Sequence, residues 1–211
     1  MSPSNPVTAI DIILVPDATM MSRAQAANDR LRKVFPQGFA LDAAHHPHVS
    51  MLMRYVPTAD LDRVCAAAGD VFAQNRAAME WRLKAFKYAF VPAEKIGLAS
   101  IIVEPTADML GLQQKLIDAV ASFELNTGSA AAFVTTPEEP VNQATIDYVA
   151  EFVPKHSGAN FVPHVTDGIA LQDDLKKMLA EPFGVFTFSP IGAAVYHLGN
   201  YGTARAKLKA F

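Results

Sequence analysis

Apolar and polar positions recur along the chain with two periods, and the switches between them divide it into elements. VTAIDIILV (Val7 to Val15) is β-branched and nearly all apolar, the pattern of a buried strand, with Asp11 its one charge. SRAQAANDRLRKVF follows, and Ser22 with Gln25 three residues on predicts a capped helix running to about Val34. A strand is predicted from His48 to about Val56. Leu61, Val64, Cys65, Ala68 and Phe72 then fall on one helical stripe. WRLKAFKYAFV alternates as a half-buried strand.

The second half starts the same way. LASIIVEP reads as a strand, and Met109, Leu112, Leu116, Val120 and Phe123 form a helical stripe with Thr106 as its cap. NTGSAAAFVTTPEEP is loop, and VNQATIDYVAEFV is helical. FVPHVTDGIAL is a strand, QDDLKKMLAEP a short helix, and FGVFTFSPIGAAVYHLGNYG one or two strands. Gly202 opens a basic tail. Strand–helix–strand–helix–strand thus occurs twice, the second time with an inserted helix. The expectation is an α+β, two-lobed, pseudo-symmetric duplicated fold over 1–211. Each lobe is a small, mostly antiparallel sheet backed by helices, with a cleft between them.

Composition narrows the function classes. Apolar residues are 51 % of 211, ample for a core, and 18 Lys plus Arg against 21 Asp plus Glu leave a net charge of −3. A mildly acidic chain is a poor tracker of long nucleic acid, whose affinity comes from neutralising phosphates. The single cysteine, Cys65, allows no intrachain disulfide and reads as a small thiol on a helix face. No stretch has the ~18–20 apolar residues of a membrane helix. The N-terminus lacks a basic leader region, so the expected compartment is the cytoplasm.

The chemistry gathers at a repeated motif. Pro47-His48-Val49-Ser50 recurs as Pro163-His164-Val165-Thr166, each at the start of a predicted strand and at the matching place in its half. Residues two apart in a strand share a face, roughly 6.6 Å apart. His48 and Ser50 therefore look one way, as do His164 and Thr166, while Val49 and Val165 look the other. Two imidazoles and two hydroxyls lining one cleft suit a phosphate, with one histidine as base and the other as acid.

HPHVSMLM and FVPHVTDG resemble the paired H-x-[S/T] motifs of the two-histidine (2H) phosphoesterase superfamily. That superfamily includes 2′-5′ RNA ligase-like proteins and cyclic nucleotide phosphodiesterases. The resemblance covers nearly the whole chain, and the ending VYHLGNYGTARAKL is similar to the final strand and tail of such proteins. It implies a metal-independent, cofactor-free hydrolysis of a cyclic phosphodiester, typically a nucleoside 2′,3′-cyclic phosphate. His48 and His164 would be the acid/base pair and Ser50 and Thr166 the phosphate binders; the order of acid and base stays open. Some members carry a basic residue after the second motif, where this chain has Asp167, Gly168 and Ile169. That departure argues against RNA-end substrates and ligase activity. It favours a small nucleotide-like ester as substrate; separately, the protein is expected to be a monomer. Asp167 should point away from the site by strand alternation.

Other residues have plainer readings beside sharper ones. His45, His46 and His48 lack the spacing and companions of a zinc site, and no metal is expected. His46 is a candidate for the cleft rim. Lys84, Phe86 and Tyr88 share a face of their strand and could meet a phosphate or stack on a base. Tyr196 and Tyr201 are similar candidates; His197 reads as structural and His156 as solvated. The competing functional class is a binding module that holds a nucleotide monophosphate in the same cleft without turnover.

Overall fold

The computed structural model describes residues 6–211. The leader reading of the N-terminus falls partly on residues 1–5, outside the described residues. Eight strands and five α-helices follow in the expected order. The first half runs β1 (Val7–Pro16), α1 (Ala18–Val34), β2 (Val49–Pro57), α2 (Leu61–Gln74) and β3 (Leu83–Ala93). The second runs β4 (Ile96–Val103), α3 (Ala107–Val120), α4 (Gln143–His156), β5 (His164–Leu171), α5 (Gln172–Leu179), β6 (Phe186–Phe188), β7 (Pro190–Leu198) and β8 (Ala204–Ala210).

Two boundaries differ from expectation for identifiable reasons. Helix α1 begins before Ser22 because Asp17 is its cap, accepting from the Thr19 and Met20 amides. Gln25 does not reach back to Ser22; its amide donates to Asp29 one turn on. The expected basic tail is instead β8, paired antiparallel with β7. Its polar alternation hid it, since an edge strand rich in Arg205, Lys207 and Lys209 shows little apolar periodicity. Thr106 does cap α3, accepting from the Met109 amide at 3.2 Å.

The duplication is present, but the lobes are not the two halves of the chain. One sheet has the order β2-β1-β7-β8, the other β5-β4-β3-β6, and all pairings are antiparallel. The first half therefore lends β3 to the other sheet, and the second lends β7 and β8. Helices interleave too, because α1 packs on β5 while α3 and α4 pack on β2. The buried Asn28 of α1 ties this crossing. Its amide nitrogen donates to the carbonyls of Asp167 (2.7 Å) and Phe39 (3.0 Å), and its oxygen accepts from the Leu41 amide.

Both motif strands carry a β-bulge one residue past the hydroxyl. Ser50 faces Ile13 and Leu52 faces Ile12, which leaves Met51 extra. Thr166 faces Ser100 and Gly168 faces Ala99, which leaves Asp167 extra. Gly168 has φ +146°, and a Cβ there would lie 2.8 Å from the Asn28 amide nitrogen, so only glycine fits. The main core joins the sheets to α2, α3 and α4 through Ile10, Ile12, Val64, Phe72, Leu116 and Phe152. No helix of the described residues is long and apolar enough to cross a membrane.

Candidate active site

The pseudo-symmetry brings β2 and β5 into contact, and with them the four motif residues. Ser50 and His164 line a cavity of about 360 Å³. His48 and Thr166 line a smaller neighbouring hollow with His46 and Tyr201.

The two imidazoles are anchored alike. His48 Nδ1 lies 2.6 Å from the His46 carbonyl, and His164 Nδ1 lies 2.8 Å from the Val162 carbonyl. A carbonyl only accepts, so each Nδ1 carries a proton and each neutral ring leaves Nε2 as its basic nitrogen. In each motif the ring reaches back past the intervening proline to the carbonyl two residues before it.

Their surroundings differ. His48 is 8 % exposed, and its Nε2 lies 3.3 Å from Oδ2 of Asp11, a carboxylate buried in β1. Burial alone would lower the His48 pKa, but Asp11 outweighs it and holds the ring above the usual histidine range. Burial pushes Asp11 itself up, against the hydrogen bonds and charge that favour its ionised form. His164 has no carboxylate beside it. Enclosure, with the nearby His48 charge, holds it below the usual range. Burial likewise lowers His46, aided by His48 and Lys207.

Ser50 Oγ donates to Asp11 Oδ2 at 2.5 Å. A hydroxyl has one proton, so Ser50 must turn off Asp11 before it can donate to an anion.

The larger cavity is walled by aromatic rings from α4 and the loop before β5. Tyr148, Phe152 and His156 stand at i, i+4 and i+8 on α4, with Phe161 and Asn160 close by. The Tyr148 and His156 rings are 4.5 Å apart. Burial, with the Asp11 charge, pushes the Tyr148 hydroxyl up to about 12. No lysine or arginine is among the lining residues. His156 is therefore not the solvated loop residue expected. Pro154 reads as a helix terminator, yet α4 continues through it to His156. The i, i+4, i+8 aromatic stripe was the visible signal for this wall.

Lys84, Phe86 and Tyr88 are not brought to either cavity. A bulge between Ala85 and Lys87 shifts the register there, so that Ala89, Phe90 and Val91 reach the cavity instead. Lys84 is half-exposed and paired with Glu104 at 3.0 Å. The Phe86 ring carries the Lys87 ammonium 5.5 Å above it. Tyr88 packs edge-on against Phe183 at 4.8 Å. The bulge leaves Lys87 opposite Ile102, the register partner of His164.

Tyr196 is 4 % exposed and stacked by His46 at 6.0 Å. His197 is structural as expected: its Nε2 lies 2.8 Å from the Ala132 carbonyl, which makes the ring a donor there. His45 also lines the smaller hollow, where its ring meets Glu139 and Arg205. No group of three metal-ligating side chains occurs among the described residues. Cys65 is half-buried, and burial pushes its thiol up, away from nucleophilic use. Asp167 is the extra residue of the β5 bulge, where simple alternation does not hold; it is fully buried, and neither carboxylate oxygen has a hydrogen-bond partner.

No family model matches the sequence, and no curated protein matches it. Among solved structures, TT0787 of Thermus thermophilus aligns over 97 % of this chain and 97 % of its own, at TM-score 0.55 and 16 % identity. The two proteins share a fold. E. coli LigT in apo form aligns over 98 % of this chain and 97 % of its own, at 0.38 and 10 %. Kluyveromyces marxianus Usb1 aligns over 99 % and 97 %, at 0.39 and 11 %. The likeness to TT0787 is one of fold, and the two-lobed α+β architecture expected from the motif resemblance is the one observed.

Proposed function

We propose that this chain is a two-histidine phosphoesterase that hydrolyses a small cyclic phosphodiester, such as a nucleoside 2′,3′-cyclic phosphate, without a metal. The matched anchoring of the motif imidazoles carries this reading. Nδ1 of each is tied to the carbonyl two residues back, so both can work through Nε2, from strands that touch. One imidazole removes the proton of the attacking water. The other protonates the departing ribose oxygen. Ser50 and Thr166 donate to the non-bridging phosphate oxygens, Ser50 once it has turned off Asp11.

The aromatic wall of Tyr148, His156 and Phe161 supports a nucleoside as the rest of the substrate, because every base offers a face to stack. A cavity without a lining cation suits a diester of single charge better than a multiply charged RNA end. His46 sits at the rim of the neighbouring hollow. The same reading takes 1–211 as one domain, monomeric and cytoplasmic, working on a small molecule without a cofactor.

The test is a panel of the four nucleoside 2′,3′-cyclic phosphates assayed in EDTA with His48→Ala and His164→Ala alongside. Each variant should lose about 10²-fold or more in turnover, the usual scale of acid–base loss. EDTA should leave the parent rate unchanged. An unaltered rate in either variant removes that histidine from the mechanism. Tight binding of nucleotide with no turnover of any member makes the cleft a binding module instead.

A further inference from the structure

The two half-sites are built alike except beside the imidazoles. Ile13 faces Ser50 and Ser100 faces Thr166, so these are equivalent positions on β1 and β4. Two residues back along each strand, β1 carries Asp11 and β4 carries Leu98. One histidine therefore has a buried carboxylate 3.3 Å from its Nε2, and the register-equivalent position on the other strand holds an aliphatic residue.

The Asp11 contact has a particular geometry. Oδ2 accepts the Ser50 hydroxyl, and the His48 Nε2 lies 3.3 Å from the same oxygen. An imidazolium so placed is stabilised by the carboxylate, and a substrate oxygen competes with Oδ2 for its Nε2 proton. Asp11 Oδ1 has no partner. The groups facing this pair are few. They are His46, His48 and Ser50 of β2 and its approach, and Tyr196 of β7 with Lys207 above its ring. Tyr148 of α4 and His164 of β5 complete them. No arginine or lysine pairs with Asp11 among the described residues, so His48 is its counter-charge.

We propose that Asp11 is a positioning residue that divides the work of the two histidines: it keeps His48 as the imidazolium that donates a proton, and leaves His164 as the base. This rests on the two-histidine reading above. Water oxygen attacks phosphorus, and its proton passes to His164 Nε2. The bond from phosphorus to the ribose oxygen breaks with its electron pair on that oxygen, which takes the proton of His48 Nε2. His48 is left neutral and His164 protonated; exchange with solvent restores both. When Ser50 turns to the phosphate, Asp11 loses one donor and binds the imidazolium more firmly.

The experiment has two arms on the full chain. In the first, kcat/KM for adenosine 2′,3′-cyclic phosphate is followed against pH in the parent and in Asp11→Asn. Loss of the carboxylate should move the alkaline limb, which reports the acid, down by about one pH unit or more and leave the acid limb in place. The variant then falls about tenfold or more behind at pH 8 and little at pH 6. Movement of the acid limb alone, or an equal loss at every pH, overturns the assignment.

In the second arm, the histidine rings are titrated by NMR without substrate, with His48→Ala and His164→Ala used to assign the signals. His48 should titrate above His164, and Asp11→Asn should lower His48 alone. The reverse order overturns the proposal even if Asp11→Asn does not fold, because the parent supplies the order. If no cyclic phosphate is turned over, the functional reading fails, and the ring titrations still decide whether Asp11 charges His48.

Discussion

Asp167 shows what a single side chain can cost a fold. Its carboxyl is fully buried, has no partner, and is driven by burial well above the carboxylate range. The folded protein therefore keeps a proton that the unfolded chain releases above about pH 4. A carboxyl raised in the folded state makes stability fall as pH climbs through that window. Asp167→Asn removes the proton exchange, so its melting temperature should match the parent near pH 4 and exceed it increasingly toward pH 8. Parallel curves in calorimetry would show that Asp167 is ionised in the fold. The motif histidines and hydroxyls were legible at this scale because each sits in a short repeated pattern. Asp11 was not, since one charge in an apolar strand carries no sign of its neighbour. His48 stands just before β2, and only the pairing of β1 with β2 sets the two side by side.

At the scale of elements, local chemistry decided most boundaries. Asp17 illustrates how far a cap can reach. It closes the first turn of α1 and also accepts from the Ser189 amide at 2.9 Å, just before β7. Asp17→Ala should cost about 1–2 kcal/mol in urea unfolding, at the upper end for a helix cap because a second amide is left unpaired. A loss of only a few tenths would mean that water replaces the carboxylate at both amides. Strand β8 makes a second case. Ala204 accepts from the His46 amide, and Phe211 stacks on Phe72 at 5.5 Å. Deleting 204–211 should lower both the melting temperature and turnover, since the segment holds the approach to His48. A free tail would leave both unchanged. Periodicity could not find β8, because a solvated edge strand buries neither face. It also placed Lys84, Phe86 and Tyr88 on the cleft side, where a single bulge reverses alternation and turns other residues inward.

For the molecule as a whole, the exchange of strands matters more than the duplication. β3 of the first half completes the sheet of β5, and β7 of the second completes the sheet of β2. Neither motif strand has its full sheet without residues from the other half. Thermal unfolding should accordingly show one transition, with calorimetric and van 't Hoff enthalpies agreeing. Two resolved transitions would mean that the lobes fold independently.

The sequence by itself determined the kinds of element, their order, the twofold repeat and the two H-x-[S/T] motifs. Those follow from local propensity and from which residues must leave water. Which strands became neighbours was decided only in the tertiary structure, because a strand's backbone groups are satisfied by any partner in register. From that choice came the carboxylate beside one histidine, its absence beside the other, and the aromatic wall between α4 and β5.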